Sequence, residues 1–187
     1  MSKQVSIVYH SAYGHTARVA ETIAAGAREV PSVEVHVMSV GQIDWALLDA
    51  SDVIVFGSPT YMGSVTADMK AFMDATSKRW KARQWQGKTA AAFANSGGLS
   101  GDKLAVLQQF CLFAMQHGMI WAGLPLMPTG MGQDDLNRMA GFLGLMTQSD
   151  NAPVEVTPPA GDLRTAAWFG RYLAELNVSA PRQLGAQ

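Results

Sequence analysis

The chain has one cysteine in 187 residues, Cys111, so no disulfide framework within the chain holds its fold. Phe110, Leu112 and Phe113 surround that cysteine in sequence, which marks it as a small buried hydrophobe rather than a reactive thiol. The chain also lacks an excess of either charge. Lys+Arg number 14 and Asp+Glu 15, a net charge of -1, so no global positive field exists to hold nucleic acid or an anionic membrane surface. No apolar run reaches the roughly 20 residues a membrane span needs. Met1-Ser2-Lys3-Gln4 leads straight into a strand-like segment with no signal-peptide apolar region, so a cytoplasmic protein without membrane insertion is expected. Repeats and low-complexity tracts are absent as well. What remains is 48% hydrophobic and 16% charged, an ordinary globular composition. A chain of this length suits one domain and buries roughly 70% of its unfolded surface without a staple.

Apolar runs and helical stripes alternate along the chain. Val5 to Tyr9 reads as a strand buried on both faces. Thr16 to Val30 carries a helical stripe through Val19, Ile23 and Ala27, and Pro31-Ser32 stops it. Val33 to Met38 is a second strand, Asp44 to Ala50 a short helix, and Asp52 to Gly57 a third strand. A helix over Ala67 to Thr76 follows, then an alanine-rich strand over Lys88 to Asn95. A helix over Asp102 to His117 ends at Gly118, and Met119 to Ala122 is a fifth strand. Five β-α repeats imply a parallel sheet with right-handed crossovers and helices on both faces. From Gly123 to Gly161 the pattern is lost. That stretch is read as an irregular insertion with a short helix near Asp134 to Leu145, and an insertion so long is usually functional or an interface. Asp162 to Asn177 closes a domain spanning residues 1–177. Residues 178–187 are expected to be a frayed tail.

In an open α/β sheet, ligands bind past the carboxyl ends of the strands, where the strand order reverses. Three loops leave such ends. Ser11-Ala12-Tyr13-Gly14-His15-Thr16 joins a buried strand to a helix N-terminus. Its hydroxyls, converging backbone N–H groups and helix dipole suit a phosphate monoester, and it holds no Lys or Arg. The other reading is a polar turn with Ser11 or Thr16 as N-cap. Ser58-Pro59-Thr60-Tyr61-Met62-Gly63-Ser64 carries two large side chains at a strand exit, placed either to lie against a planar ring or to cap the core. Asn95-Ser96-Gly97-Gly98-Leu99-Ser100-Gly101 lets backbone amides approach a ligand closely, or is a plain connector. The three share one rim.

Competing phosphate folds fail on residues. A dinucleotide fingerprint needs three glycines after the first strand, and this loop has one. Gly87-Lys88-Thr89 mimics the end of a P-loop, but Ala82 stands where its first glycine belongs and the segment precedes a strand. A receiver domain needs carboxylates at the ends of the first and third strands, which here read Tyr9-His10-Ser11 and Gly57-Ser58-Pro59.

On these residues the chain resembles the flavodoxin superfamily, and within it the WrbA-type NAD(P)H:quinone oxidoreductases. The shared features are Tyr-Gly-His in the first loop, Pro59-Thr60-Tyr61, the Met-Lys-x-Phe-x-Asp pattern of Met69 to Asp74, Trp80, Gly87-Lys88, and His117-Gly118-Met119. The similarity covers about Val5 to Met119 well and the rest poorly. It implies a flavodoxin-like three-layer sandwich with a five-stranded parallel sheet in the order 2-1-3-4-5. It also implies FMN as cofactor and NADH or NADPH as co-substrate.

By the same resemblance, Ser11, Tyr13, Gly14, His15 and Thr16 would hold the FMN phosphate. Pro59, Thr60, Tyr61, Met62 and Gly63 would flank the isoalloxazine. Asn95, Ser96, Gly97, Gly98, Leu99, Ser100 and Gly101 would meet its pyrimidine edge. Trp80 would stack on the substrate side, from a neighbouring subunit of a homodimer or homotetramer. The family usually has two histidines before Gly-Met, and here the first is Gln116, which leaves His117 as the catalytic candidate. No metal is implied.

The expected activity is transfer of hydride from NAD(P)H through FMN to a quinone or another planar acceptor. A one-electron carrier and a non-catalytic FMN-binding scaffold are the alternatives. Carriers dock through a strongly acidic face, and this chain is nearly neutral. Its third loop has no aromatic to sheathe a flavin. A basic cluster, Lys78, Arg79, Lys81, Arg83 and Lys88, is read either as an attractor of NADPH phosphates or as a solvated helix end.

Overall fold

A computed structural model describes residues 2–179. The elements in chain order are β1 (Lys3–Tyr9), α1 (His15–Arg28), β2 (Val33–Ser39), α2 (Trp45–Ala50), β3 (Val53–Pro59), α3 (Ala67–Ala75), α4 (Ser77–Lys81), β4 (Thr89–Ser96), α5 (Lys103–Gln116), β5 (Ile120–Trp121), β6 (Leu145–Gln148) and α6 (Ala160–Ser179). The sheet runs β2-β1-β3-β4-β5, parallel throughout, in the expected order. Every residue of β3 is buried, as a central strand covered on both faces requires. One core layer packs Phe56, Trp85 and Phe110 beneath α3 and α5. The other packs Ile23, Phe93 and Phe169 beneath α1 and α6. Those two helices touch backbone to backbone. A Cβ on Gly26 would lie 1.8 Å from the Ala167 carbonyl oxygen, and one on Gly170 would lie 1.9 Å from that of Ile23.

Three expectations need correction. The sheet has a sixth strand. β5 pairs only with the start of β4 (Thr89↔Ile120, Ala90↔Trp121), and β6 pairs with its end (Phe93↔Leu145 to Ser96↔Gln148). The fifth position is therefore filled by two short pieces separated by residues 122–144. Second, the helix expected near Asp134 to Leu145 does not form. Asn137 and Ala140 have φ of 42° and 49°, outside the helical region. The Asn137 side chain donates to the Leu126 carbonyl (2.7 Å) and accepts the Gly141 N–H (3.2 Å), and such local bonds compete with a helix ladder. Gly144 then lets the chain close on β4, where a Cβ would stand 2.5 Å from the Ala92 carbonyl oxygen. Third, α6 runs through Val178 and Ser179, which were expected to fray; residues 180–187 lie outside the described residues.

No helix among the described residues is long and apolar enough to cross a membrane.

Candidate functional site: a donor-lined cleft at the carboxyl edge of the sheet

The carboxyl ends of β1, β3 and β4 lie level, with Tyr9 opposite Gly57 and Pro59 opposite Asn95. The order reverses at β1, flanked by β2 and β3. A cleft of about 380 Å³ opens there, lined by parts of all three predicted loops and by Ser149 to Ala152. Ser11, Tyr13, His15, Thr16, Pro59, Thr60, Tyr61, Asn95, Ser96 and Gly97 face it. No lysine or arginine lines it.

The first loop is shaped by Gly14, whose φ of 90° is left-handed and favours glycine. Ser11 Oγ accepts the Gly14 N–H at 3.1 Å. The turn leaves several amides unpaired: those of Ala12, Tyr13, His15, Thr16 and Ala17 find no acceptor among the described residues. No side chain caps α1, and no acid stands in its first turn. Unsatisfied N–H groups at a helix N-terminus, with the dipole behind them, form an anion site.

In the second loop the Thr60 N–H donates to the Asn95 carbonyl at 2.8 Å, while Thr60 Oγ1 is buried with no partner among the described residues. Tyr61 and Ser64 exchange backbone bonds of 3.0 and 3.1 Å around Met62 and Gly63, which both have positive φ. Tyr61 therefore lines the cleft. Met62 and Gly63 sit at the tip of a tight turn, and the Met62 side chain is fully exposed.

In the third loop the carbonyls from Asn95 to Ser100 are all engaged. The Ser149 N–H donates to Ser96 O (3.0 Å) and the Lys103 N–H to Ser100 O (3.2 Å). Gln148 Nε2 donates to Gly97 O (2.9 Å). Lys103 Nζ donates to Gly98 O (2.8 Å), Leu99 O (2.9 Å) and Ser96 Oγ (2.6 Å). No amide from Gly97 to Gly101 donates to an acceptor among the described residues. The loop thus hides its acceptors and shows its donors. Gly98, Leu99, Ser100 and Gly101 do not line the cleft in this structure.

Two contributors escape the sequence reading. The fourth wall, Ser149 to Ala152, is fixed by β6: Thr147 Oγ1 and Ser149 Oγ both donate to Asn95 Oδ1 (2.8 and 3.1 Å). The His15 ring lies 3.0 Å from the Ala152 carbonyl through Nε2, and Arg18 donates to the Val154 carbonyl. The signal for this wall was the short apolar-polar run Leu145 to Gln148, followed by turn-forming Ser149-Asp150-Asn151. The second contributor is Lys103, wholly buried at the start of α5. Burial pushes its pKa down to about 8, with Asp162 raising it and Arg138 lowering it by smaller amounts. Those two residues form their own buried ion pair, Arg138 Nε to Asp162 Oδ1 at 2.7 Å. Asp162 Oδ2 also accepts the Gln148 N–H at 2.8 Å.

His117, the catalytic candidate, is placed outside the cleft. It sits in the core with Nε2 2.9 Å from Thr76 Oγ1, its ring centroid 4.7 Å from that of Trp85 and 4.8 Å from that of Phe113. Burial, and secondarily Arg83, push its pKa down to about 4. It does not line the cleft. His117 borders instead a separate groove of about 420 Å³ shared with Trp80 and Leu112, which has no lining residue in common with the cleft. Within one chain Trp80, half-exposed, does not reach the cleft. The basic cluster is partly committed to structure. Arg79 pairs with Asp49 at 2.8 Å and covers the Trp45 ring, Arg83 bonds the Gln116 carbonyl, and buried Lys88 bonds the carbonyls of Asp49 and Ser51.

A parallel sheet in this order, with a basic-residue-free anion cleft at its switch point, defines a flavodoxin-like protein. The family model of NADPH-dependent FMN reductase matches residues 9–130. "Flavodoxin FldP" of Pseudomonas aeruginosa is 41% identical over 182 residues, covering 94% of this chain and 97% of that protein. An "NAD(P)H dehydrogenase (quinone)" of Geobacter sulfurreducens is 31% identical, covering 92% and 96%. The crystal structure of a WrbA-like flavodoxin from Agrobacterium tumefaciens superposes with a TM-score of 0.75 at 37% identity, covering 95% and 98% of the two chains. The chain belongs to the NADPH-dependent FMN reductase family, and it is an oxidoreductase whose cofactor is FMN.

Proposed function

We propose that the cleft holds FMN by its phosphate on Ser11 to Thr16, and that the protein passes electrons from NADH or NADPH through that flavin to a quinone or a similar planar acceptor. The observation that carries this reading is the set of unpaired amides from Ala12 to Ala17 beside the unpartnered Thr60 hydroxyl. These donors suit a phosphate monoester, and no basic side chain competes to define a different anion. When bound, FMN supplies the redox chemistry.

The chain's part is to bind and orient. Ser11, Tyr13, Gly14, His15 and Thr16 surround the phosphate. Pro59, Thr60 and Tyr61, with Met62 and Gly63 at the turn tip, bound one side of the ring. Asn95 to Gly101 offer amides to its acceptor edge, and Ser149 to Ala152 close the fourth side. Trp80 belongs to the acceptor pocket of a neighbouring subunit in a homodimer or homotetramer. Leu112, an exposed apolar side chain in the same groove as Trp80, gives such a contact a surface.

The test is calorimetric titration of the purified chain with FMN, FAD and riboflavin, followed by NADH and NADPH oxidation with benzoquinone. Tighter FMN binding and quinone-dependent oxidation are expected. Tighter FAD binding, or no flavin binding, overturns the cofactor reading. The carrier alternative is favoured by the relative named a flavodoxin; FMN binding without oxidation of either nicotinamide would establish it.

A further inference from the structure

We propose that Lys103 is a positioning residue that makes the cleft prefer the reduced form of its flavin. This deepens the FMN reading and rests on it.

The argument begins with energetic cost. An ammonium wholly removed from water is unfavourable unless it is paired. Lys103 is wholly buried and forms no ion pair among the described residues. The nearby carboxylate, Asp162, is already engaged with Arg138, so that pair as a whole leaves the lysine's charge uncancelled. The ammonium's hydrogen-bond partners are all dipoles: the Ser96 hydroxyl and the carbonyls of Gly98 and Leu99. Ser96 itself lines the cleft, so one hydroxyl separates the charge from the ligand space.

Two consequences follow. The carbonyls of Gly98 and Leu99 are drawn toward Nζ, while the amide of Gly97, which lines the cleft, has no acceptor among the described residues. The field of an uncancelled positive charge then reaches the cleft through a desolvated loop. Both effects favour a ligand that becomes more electron-rich, and FMN gains electron density on reduction. The first loop supplies no comparable preference, because its amides hold a phosphate whose charge does not change with redox state.

The experiment uses Lys103→Gln, which keeps a donor for the loop carbonyls and removes the charge, beside Lys103→Met, which removes both. Oxidised FMN affinity is read by calorimetry and the two-electron midpoint potential of bound FMN by spectroelectrochemistry. A unit charge roughly 10 Å away in a medium of effective dielectric about 20 changes an equilibrium by on the order of tenfold. Both variants are therefore expected to bind reduced FMN about tenfold less tightly relative to oxidised FMN, which lowers the midpoint potential by about 30 mV.

A second measurement needs no substitution. In the unsubstituted holoprotein, the difference between the bound and free FMN potentials should fall above pH about 8, where Lys103 loses its proton; Asp162 and Arg138 are the charged groups that act on it. An unchanged potential in Lys103→Gln, or a pH-independent difference should the variants not fold, overturns the proposal while leaving FMN binding intact. A chain that binds no FMN overturns the reading beneath it.

Discussion

The loop Ser11–Thr16 and the start of the loop Asn95–Gly101 line the same cleft, and both loops carry backbone amides without an acceptor among the described residues, yet they rest on different physics. The first is backed by a helix dipole, equivalent to a fixed fraction of a charge, and costs no desolvated ion. The second is organised around a whole charge held out of water on Lys103. A dipole suits a ligand group of constant charge. An integral, titratable charge suits one whose charge changes. The difference also separates their dependence on the rest of the molecule: the first loop is shaped within one strand-helix junction, the second by contacts from β6 and α6.

That dependence is where the comparison breaks most visibly. Asp162 holds Arg138 and the Gln148 backbone, and Gln148 in turn holds Gly97. Asp162→Ala leaves a buried guanidinium alone and is expected to destabilise the fold by about 3–5 kcal/mol, read from urea unfolding. Amide exchange should accelerate at Ser149 and Lys103, whose N–H groups hold the third loop, before it does at Gly14 and Arg18, whose N–H groups hold the first. Equal acceleration in the two loops would erase the distinction.

Next in size, Ser11→Ala combined with Thr16→Ala is expected to weaken FMN by about 1–3 kcal/mol per hydrogen bond lost to the charged group. Riboflavin, which lacks the phosphate, should bind almost as before. Calorimetric titration of both ligands checks this, and a parallel loss for riboflavin would mean that the first loop does not read a phosphate.

A smaller effect isolates both loops from the remote core. His117 in the folded chain titrates near 4, below its unfolded value of about 6.5. Between those values the unfolded chain binds more protons, so the histidine's contribution is complete above pH about 6.5 and is lost as pH falls toward 4. His117→Gln should flatten that part of the urea-midpoint profile while FMN affinity at neutral pH stays unchanged.

The smallest expected change is at Trp80. Stacking on a planar acceptor contributes about 0.5–1.5 kcal/mol beyond area burial, so Trp80→Ala should raise the KM for benzoquinone severalfold and leave FMN affinity alone. Steady-state kinetics that do not change would return Trp80 to an ordinary surface role.

The sequence was most legible where local pattern and tertiary role agree. The apolar runs of β1 and β3, the stripe of α1 and the glycine at position 14 each announce themselves within a few residues, and they build most of the cleft. Lys103 was not legible. A lysine opening a helix reads as solvated, and only the folding of residues 96–100 back over it buries the ammonium. The wall Ser149–Ala152 was hidden for a related reason. Leu145 to Gln148 is too short to declare itself a strand, and its pairing is decided by the free flank of β4 beyond β5. For His117 a family position suggested chemistry, and the ring lies among Trp85, Phe113 and Thr76, bordering the groove of Trp80 rather than the cleft.

The divided fifth position of the sheet also sets a schedule. His15 and its partner Ala152 are separated by 137 positions, so a growing chain displays the first loop long before its opposite wall exists. At about 5–20 residues per second of synthesis, roughly 7–27 s pass between the two. During that interval the nascent protein carries an open rim and an incomplete sheet edge, and α1 lacks the helix that covers it. A cleft with all four of its walls therefore exists only at the last stage of the protein's birth, when the carboxyl-terminal quarter of the chain settles onto a framework already standing.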